Sequence, residues 1–397
     1  MPQPTPVKSI LAPTGLDYQT RPWDDAYPIV ETGCRQRPVV LLAPNSYLGT
    51  IYAPLILAKC SHVLAVVDDQ SDAEAIHGVT RWSSEQFRQR APGIPDVLAV
   101  DLTCSPLGNA VFGRLLEATR VDSADLVRII AELELPAVYQ TPGRMRELTI
   151  ARQSDWFALR SSFEDQLSRD SLDAILMLRL TFERRHLRGA TLSIDEEYFS
   201  VYREGSTFAL REDEIFCDAG AYVGSTVRKV LAATGGRFRS IHAFEPDRKS
   251  FASLESLHSL RLDTLTLHNA AVGDFTGTVS FLHSGTMGSH VGEGENSGDA
   301  RITRLDDAVD DVTFIKMDLE GFEKRALLGA AGLIRAHRPR MAVTGYHYAD
   351  DLLEICDTIR RLAPDYVLRL RHHSNYFYDS IIYAAPREFP APSTRYH

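Results

Sequence analysis

Between Asp218 and Gly224 the chain reads Asp-Ala-Gly-Ala-Tyr-Val-Gly, and the residue types and spacing suit a ligand-binding turn. Ile215, Phe216 and Cys217 form a short apolar run that ends in Asp218. Gly220 and Gly224 then frame a turn with Ala221 and Tyr222 inside it, and Ser225 and Thr226 offer N-cap hydroxyls to a following helix. Glycines let backbone approach a ligand closely, and the free N–H groups of a helix start favour a negatively polarised group. Glu245, followed by Pro246, stands 25 residues past Gly220 at the end of a second apolar run. A carboxylate there can accept two hydrogen bonds from ribose hydroxyls. A third run ends in Asn269-Ala270-Ala271, whose backbone and Asn269 amide would border the same crevice and could meet an adenine.

The spacing narrows the ligand. A dinucleotide fingerprint, G-x-G-x-x-G counted from Gly220, needs glycine where Tyr222 and Ser225 stand. The observed D-x-G-x-x-x-G resembles motif I of class I S-adenosylmethionine-dependent methyltransferases, where the turn holds the amino acid end of the cofactor.

Two further groups could do chemistry. Asp318, Glu320 and Glu323 fall within six residues after an apolar run. Oxygen ligands suit a divalent cation, and Asp318 and Glu320 would be its ligands. Acids at a helix start also stabilise its dipole, and this reading is preferred, so no metal is expected. His347 follows the strand-like run at 340–345 and is the candidate general base, because imidazole titrates near neutrality. His290, in a Gly/Ser-rich stretch at 284–299 read as a cover over the site, and Asp318 are the other catalytic candidates.

The elements that must position these residues are those of an α/β chain. Continuous apolar runs alternate with helical patterns from residue 214 onward, and two closing antiparallel strands are expected at 366–370 and 380–384. Upstream, runs at 38–44, 62–69 and 96–101 predict a smaller parallel sheet, with 136–139 as a fourth strand and a helix over 52–60. The loop after the first of these runs holds a single glycine, Gly49, which argues against a dinucleotide site there. Apolar residues at helical spacing from Trp156 to Phe182 predict two helices, with stripes suited to a core or a homodimer face. The expected division is an N-terminal Rossmann-like α/β domain at 1–150, a helical connector at 151–205 and a catalytic domain at 206–397.

A formal net charge of −10 works against a nucleic acid partner, since phosphate binding needs clustered Lys and Arg. Without a long apolar run or the apolar core of a signal peptide, a cytoplasmic protein with no membrane span is expected. The five cysteines form no C-x-x-C pair, so reduced thiols are expected.

Five strings, taken in order, carry a more specific resemblance: Phe216-Cys-Asp-Ala-Gly-Ala-Tyr-Val-Gly224, His242-Ala-Phe-Glu-Pro246, Asn269-Ala-Ala-Val-Gly-Asp274, Ile315-Lys-Met-Asp-Leu-Glu-Gly-Phe-Glu323 and Tyr346-His347. They resemble the successive motifs of the FkbM-type methyltransferase family, from about residue 214 to about 386. Tyr222 and Phe322 depart from the smaller residues common there. The resemblance implies a class I methyltransferase domain with a mostly parallel sheet. It also implies transfer of a methyl group from S-adenosylmethionine to a hydroxyl of a sugar, glycan or natural-product scaffold. A non-catalytic binding protein and a nicotinamide-dependent oxidoreductase are the alternatives.

Overall fold

Apolar runs without polar alternation are buried on both faces, and such runs supply the strands of two separate parallel sheets. The computed structural model describes residues 16–18, 21–104, 106–201, 206–260, 264–282, 290–291 and 297–389. The chain divides into two compact units, one made of 1–157, 170–191 and 374–378 and the other of 158–169, 192–373 and 379–397.

The first unit contains β1 (Val39–Leu42), β2 (Val63–Val67), β3 (Ala75–Ile76), β4 (Val79–Trp82), β5 (Leu98–Asp101) and β6 (Asp122–Asp125). Their order is β3-β4-β2-β1-β5-β6, parallel throughout except for the β3–β4 hairpin. The strand expected at 136–139 does not form. The place beside β5 is taken by β6, whose Asp-Ser-Ala-Asp sequence has no apolar run because this edge strand is half open to solvent. The first helix of this sheet begins at Tyr47, earlier than expected, because the Ser46 hydroxyl caps it by accepting from Gly49 N–H at 3.0 Å.

The second unit contains β7 (Ile215–Ala219), β8 (Ser240–Phe244), β9 (Leu265–His268), β10 (Ala271–Val272), β11 (Gly277–Leu282), β12 (His290–Val291), β13 (Ser297–Thr303), β14 (Phe314–Met317), β15 (Arg340–Thr344), β16 (Tyr366–His372) and β17 (Ser380–Pro386). Seven of these make one sheet in the order β16-β17-β15-β14-β7-β8-β9. Strands β9, β8, β7, β14 and β15 are parallel, while β17 and β16 close the sheet antiparallel, as the two C-terminal runs predict. A small second sheet has the order β10-β13-β11-β12.

From β7 the chain builds outward through β8 and β9 on one side, then returns to lay β14 and β15 on the other. The gap between β7 and β14 is therefore the topological switch point, where crevices open beyond the carboxyl ends of the strands. Below it, Phe216 and Phe314 face each other in register and stack at 5.2 Å, and Phe199 packs edge-on to both. The periodic stretch from Trp156 forms two helices, Gln153–Ser162 and Gln166–Thr181, with Trp156, Leu159, Phe163 and Leu167 buried. Among the described residues no helix is long and apolar enough to cross a membrane. None of the five cysteines is in a disulfide.

Candidate active site

The turn after β7 is held from both sides. Gly220 N–H and Ala221 N–H both donate to the Phe244 carbonyl at the end of β8, at 3.1 and 2.9 Å. Gly220 has φ +86°, and a Cβ there would stand 1.9 Å from the Asp318 carbonyl oxygen. Gly224 has φ +82°, and its Cβ would meet Leu257 and Leu254 at 2.7 and 2.9 Å. Both glycines thus serve the left-handed backbone and the close packing of the turn on its own neighbours. Tyr222, between them, also takes a positive φ of 49°. The expected hydroxyl cap is not present. Gly224 is the N-cap residue and makes no side-chain bond, Ser225 is the first helical residue and exposed, and Thr226 is buried.

Glu245 spans this turn. Its Oε2 accepts from Tyr222 N–H at 2.8 Å and its Oε1 from Asp247 N–H at 2.8 Å. Burial pushes its pKa up to about 7, against the lowering effect of the two N–H donors. Each oxygen keeps a lone pair for a further donor. The Asn269 amide donates to the carbonyls of Glu245, at 2.8 Å, and Pro246, at 3.4 Å, so it ties the β9 end to the β8 end. Ala270 and Ala271 are buried beside it, and Ala271 opens β10.

Asp218 is fully buried. It lies opposite Lys316 in the β7–β14 register, and Lys316 Nζ stands 3.1 Å from Asp218 Oδ1. The ammonium also donates to the Gly220 carbonyl at 2.5 Å and lies 5.1 Å over the Tyr198 ring. Burial opposes its charge, but Asp218 and Asp318 outweigh that and raise its pKa.

Beyond β14 and β15 a second cluster forms. Asp318 Oδ2 accepts from the Tyr198 hydroxyl at 2.8 Å and Oδ1 from the Tyr346 hydroxyl at 3.3 Å. The His347 ring is fully buried, with Nε2 3.6 Å from Asp318 Oδ1 and 3.5 Å from Glu320 Oε2, and Nδ1 3.3 Å from Glu323 Oε1. Glu323 also accepts from Leu319 N–H at 2.7 Å and from Thr344 Oγ1 at 3.1 Å. Burial works against a charged ring, but Glu323, Asp318 and Glu320 outweigh it and raise the His347 pKa to about 10. These acids favour the protonated ring, whereas a general base acts as the free imidazole. Glu197 sits in the same field: burial first, then Asp379 and Asp318, push its carboxyl up to about 8.

The structure therefore gathers Gly220, Ala221, Tyr222, Glu245, Pro246, Asn269, Ala270, Asp318, Glu320 and His347 at the carboxyl ends of β7, β8, β9, β14 and β15. His290 is on β12 of the small sheet with Leu282 as its strand partner, and its side chain lies outside the described residues. Most of the proposed cover, 284–289 and 292–296, lies outside them too. Sequence reasoning passed over Lys316, Tyr198, Thr344 and Glu197. Lys316 had a readable signal, since a lysine inside Phe-Ile-Lys-Met on a buried strand requires a counter-ion on a neighbouring strand. Tyr198 and Glu197 had none, because their approach depends on the fold.

Comparison with known proteins agrees with this architecture. The family model described as the Methyltransferase FkbM domain matches residues 218–368. The crystal structure of methyltransferase FkbM from Methylobacillus flagellatus KT superposes with a TM-score of 0.73 at 23% identity, over 91% of this chain and 95% of that one. An rRNA methylase from Streptococcus thermophilus matches with a TM-score of 0.31 at 13% identity, over 45% of this chain and 89% of that one. No curated protein matches the chain in sequence. The glycine turn, Glu245, Asn269 and the Asp318–Glu323 segment all fall inside residues 218–368, the stretch that matches the Methyltransferase FkbM domain.

Proposed function

We propose that the protein is an S-adenosylmethionine-dependent O-methyltransferase whose acceptor is a hydroxyl on a sugar, glycan or natural-product scaffold. The observation that carries this reading is the Glu245 carboxylate, pinned across the glycine turn by Tyr222 and Asp247 N–H with one lone pair per oxygen left over. An acid so placed at the β8 end, beside the switch point, suits two vicinal ribose hydroxyls. The turn at Gly220–Gly224 would hold the amino acid end of the cofactor, and Asn269, Ala270 and Ala271 would border its base. Asp218 acts behind them through Lys316, which fixes the Gly220 carbonyl.

When bound, the cofactor supplies a methyl group on a positively charged sulfur, already a good leaving group. The chain's own task is to align the acceptor oxygen and to take its proton as the O–CH₃ bond forms and the S–CH₃ bond breaks. Glu197 is the candidate base, because burial and the nearby Asp379 and Asp318 push its carboxyl up to about 8 and the adjacent Tyr198 is bonded to Asp318. Asp318 orients this edge, and His347 is a positioning residue behind it.

Calorimetry with S-adenosylmethionine, S-adenosylhomocysteine and NAD tests the cofactor. Binding of the first two, lost in Glu245→Ala, supports the reading; binding of NAD alone overturns it. Incubation with isotopically labelled S-adenosylmethionine and cell-extract glycans and small molecules, read by mass spectrometry, then tests for a labelled methyl group on an acceptor oxygen.

A further inference from the structure

We infer that Asp318, Glu320 and His347 form a binding site for one divalent transition metal ion at the carboxyl edge of β14 and β15. Each offers one ligand atom, and these atoms all lie within 4.8 Å of one another. The ring nitrogen Nε2 stands 3.5 and 3.6 Å from the two carboxylate oxygens. Ligands about 2.0–2.1 Å from a tetrahedral ion lie roughly 3.3 Å apart, so the ring nitrogen needs to close on each carboxylate oxygen by only a few tenths of an ångström.

The arrangement behind the ring argues for an ion and not only for charge pairing. A ligating histidine gives up the proton of its coordinating nitrogen in favour of the ion and is held by a hydrogen bond from its other nitrogen to a carboxylate, which fixes the ring and raises its basicity. Here Nδ1 lies 3.3 Å from Glu323 Oε1, and Glu323 is itself fixed by Leu319 N–H and the Thr344 hydroxyl. This leaves Nε2 facing Asp318 and Glu320, the two acids of the set whose side chains keep some exposure, at 20% and 22%. Asp318 is oriented in turn by Tyr198 and Tyr346. A second grouping, Glu323, His347 and Asp351, includes the acid that lies on the Nδ1 side of the ring. Its acids are already engaged, Glu323 as above and Asp351 by Tyr348 N–H at 2.7 Å, so the first grouping is the ligand set.

One imidazole with two carboxylates suits Zn²⁺, Mn²⁺ or Fe²⁺ better than Mg²⁺, which prefers an all-oxygen octahedron. If the methyl-transfer reading holds, such an ion beside Asp318 would meet the acceptor oxygen and make its proton easier to remove. The ion site itself does not depend on that reading.

The test uses the full chain, stripped with chelator and titrated with Mn²⁺ by paramagnetic resonance and with Zn²⁺ by calorimetry, without cofactor or acceptor. One ion per chain is expected. Binding should be lost in His347→Ala and Glu320→Gln, weakened about 10–100-fold in Glu323→Gln, and unchanged in Asp351→Asn. Glu320→Gln lies on the partly exposed turn and decides the matter if His347→Ala fails to fold. Absence of saturable binding at millimolar ion, equal binding in Glu320→Gln, or loss in Asp351→Asn alone overturns the site. Ion binding without S-adenosylmethionine binding would leave the site standing and remove the methyltransferase reading, and the reverse result would do the opposite.

Discussion

Lys316 on β14 and Asp218 on β7 occupy paired register positions, and their charged atoms meet at 3.1 Å in a fully buried setting. The pair joins the two strands that flank the switch point, and the same ammonium holds the carbonyl of Gly220. A structural ion pair thereby shapes the turn that the cofactor would occupy.

Removing one partner should expose this dependence. Lys316→Met leaves Asp218 buried beside no cation, and loss of one member of such a pair costs about 3–5 kcal/mol. Urea unfolding should show that loss, and Asp218→Asn with Lys316→Met should recover a large part of it. If the single and double variants are equally unstable, the pair is not what the strands rely on.

The two kinds of left-handed glycine should differ sharply. Gly220→Ala places a Cβ 1.9 Å from a backbone oxygen at φ +86°, so strain and overlap together should cost at least about 2 kcal/mol. Gly235, which ends helix Ser225–Thr234 at φ +61° with nothing within 4 Å, should cost only about 1 kcal/mol as Ala. Thermal melts of the two variants compare them directly, and only Gly220→Ala should also lose S-adenosylmethionine affinity.

Glu245 should make both stability and cofactor binding depend on pH. Its folded pKa, about 7, lies above the ordinary value of 4.5 because burial disfavours the charge. Between those values the folded state holds the proton that the unfolded state has lost, so its contribution to stability falls as pH rises from 4.5 to 7. Ribose hydroxyls donating to the carboxylate favour its charged form, so S-adenosylmethionine affinity should rise through about pH 7. Calorimetry across this range should show the rise in the wild type and a flat profile in Glu245→Gln.

Glu197 should govern turnover. A base with a pKa of about 8 is active only when deprotonated, so the methylation rate should rise with pH through that value. Glu197→Gln should lower kcat about 10²–10⁴-fold and remove this limb of the pH profile, with cofactor affinity kept. Unchanged turnover would take Glu197 out of the reaction.

Much of this molecule was determined by sequence alone. Short-range rules suffice for β7, β8 and β14, because mostly apolar runs followed by an acid identify buried parallel strands and the residues at their carboxyl ends. Asp218, Gly220, Glu245, Asn269 and Asp318 were therefore legible as a series along one edge. Their division of labour was decided by tertiary structure. Register placed Lys316 opposite Asp218 and paired the two charges in the core. Packing put the Asp318 carbonyl where a Gly220 side chain would stand. Three acids converge on the buried His347 ring from the β14 turn and raise its pKa. Burial, proximity and the pKa values they set arise between segments far apart in the chain, and no local pattern of residues records them.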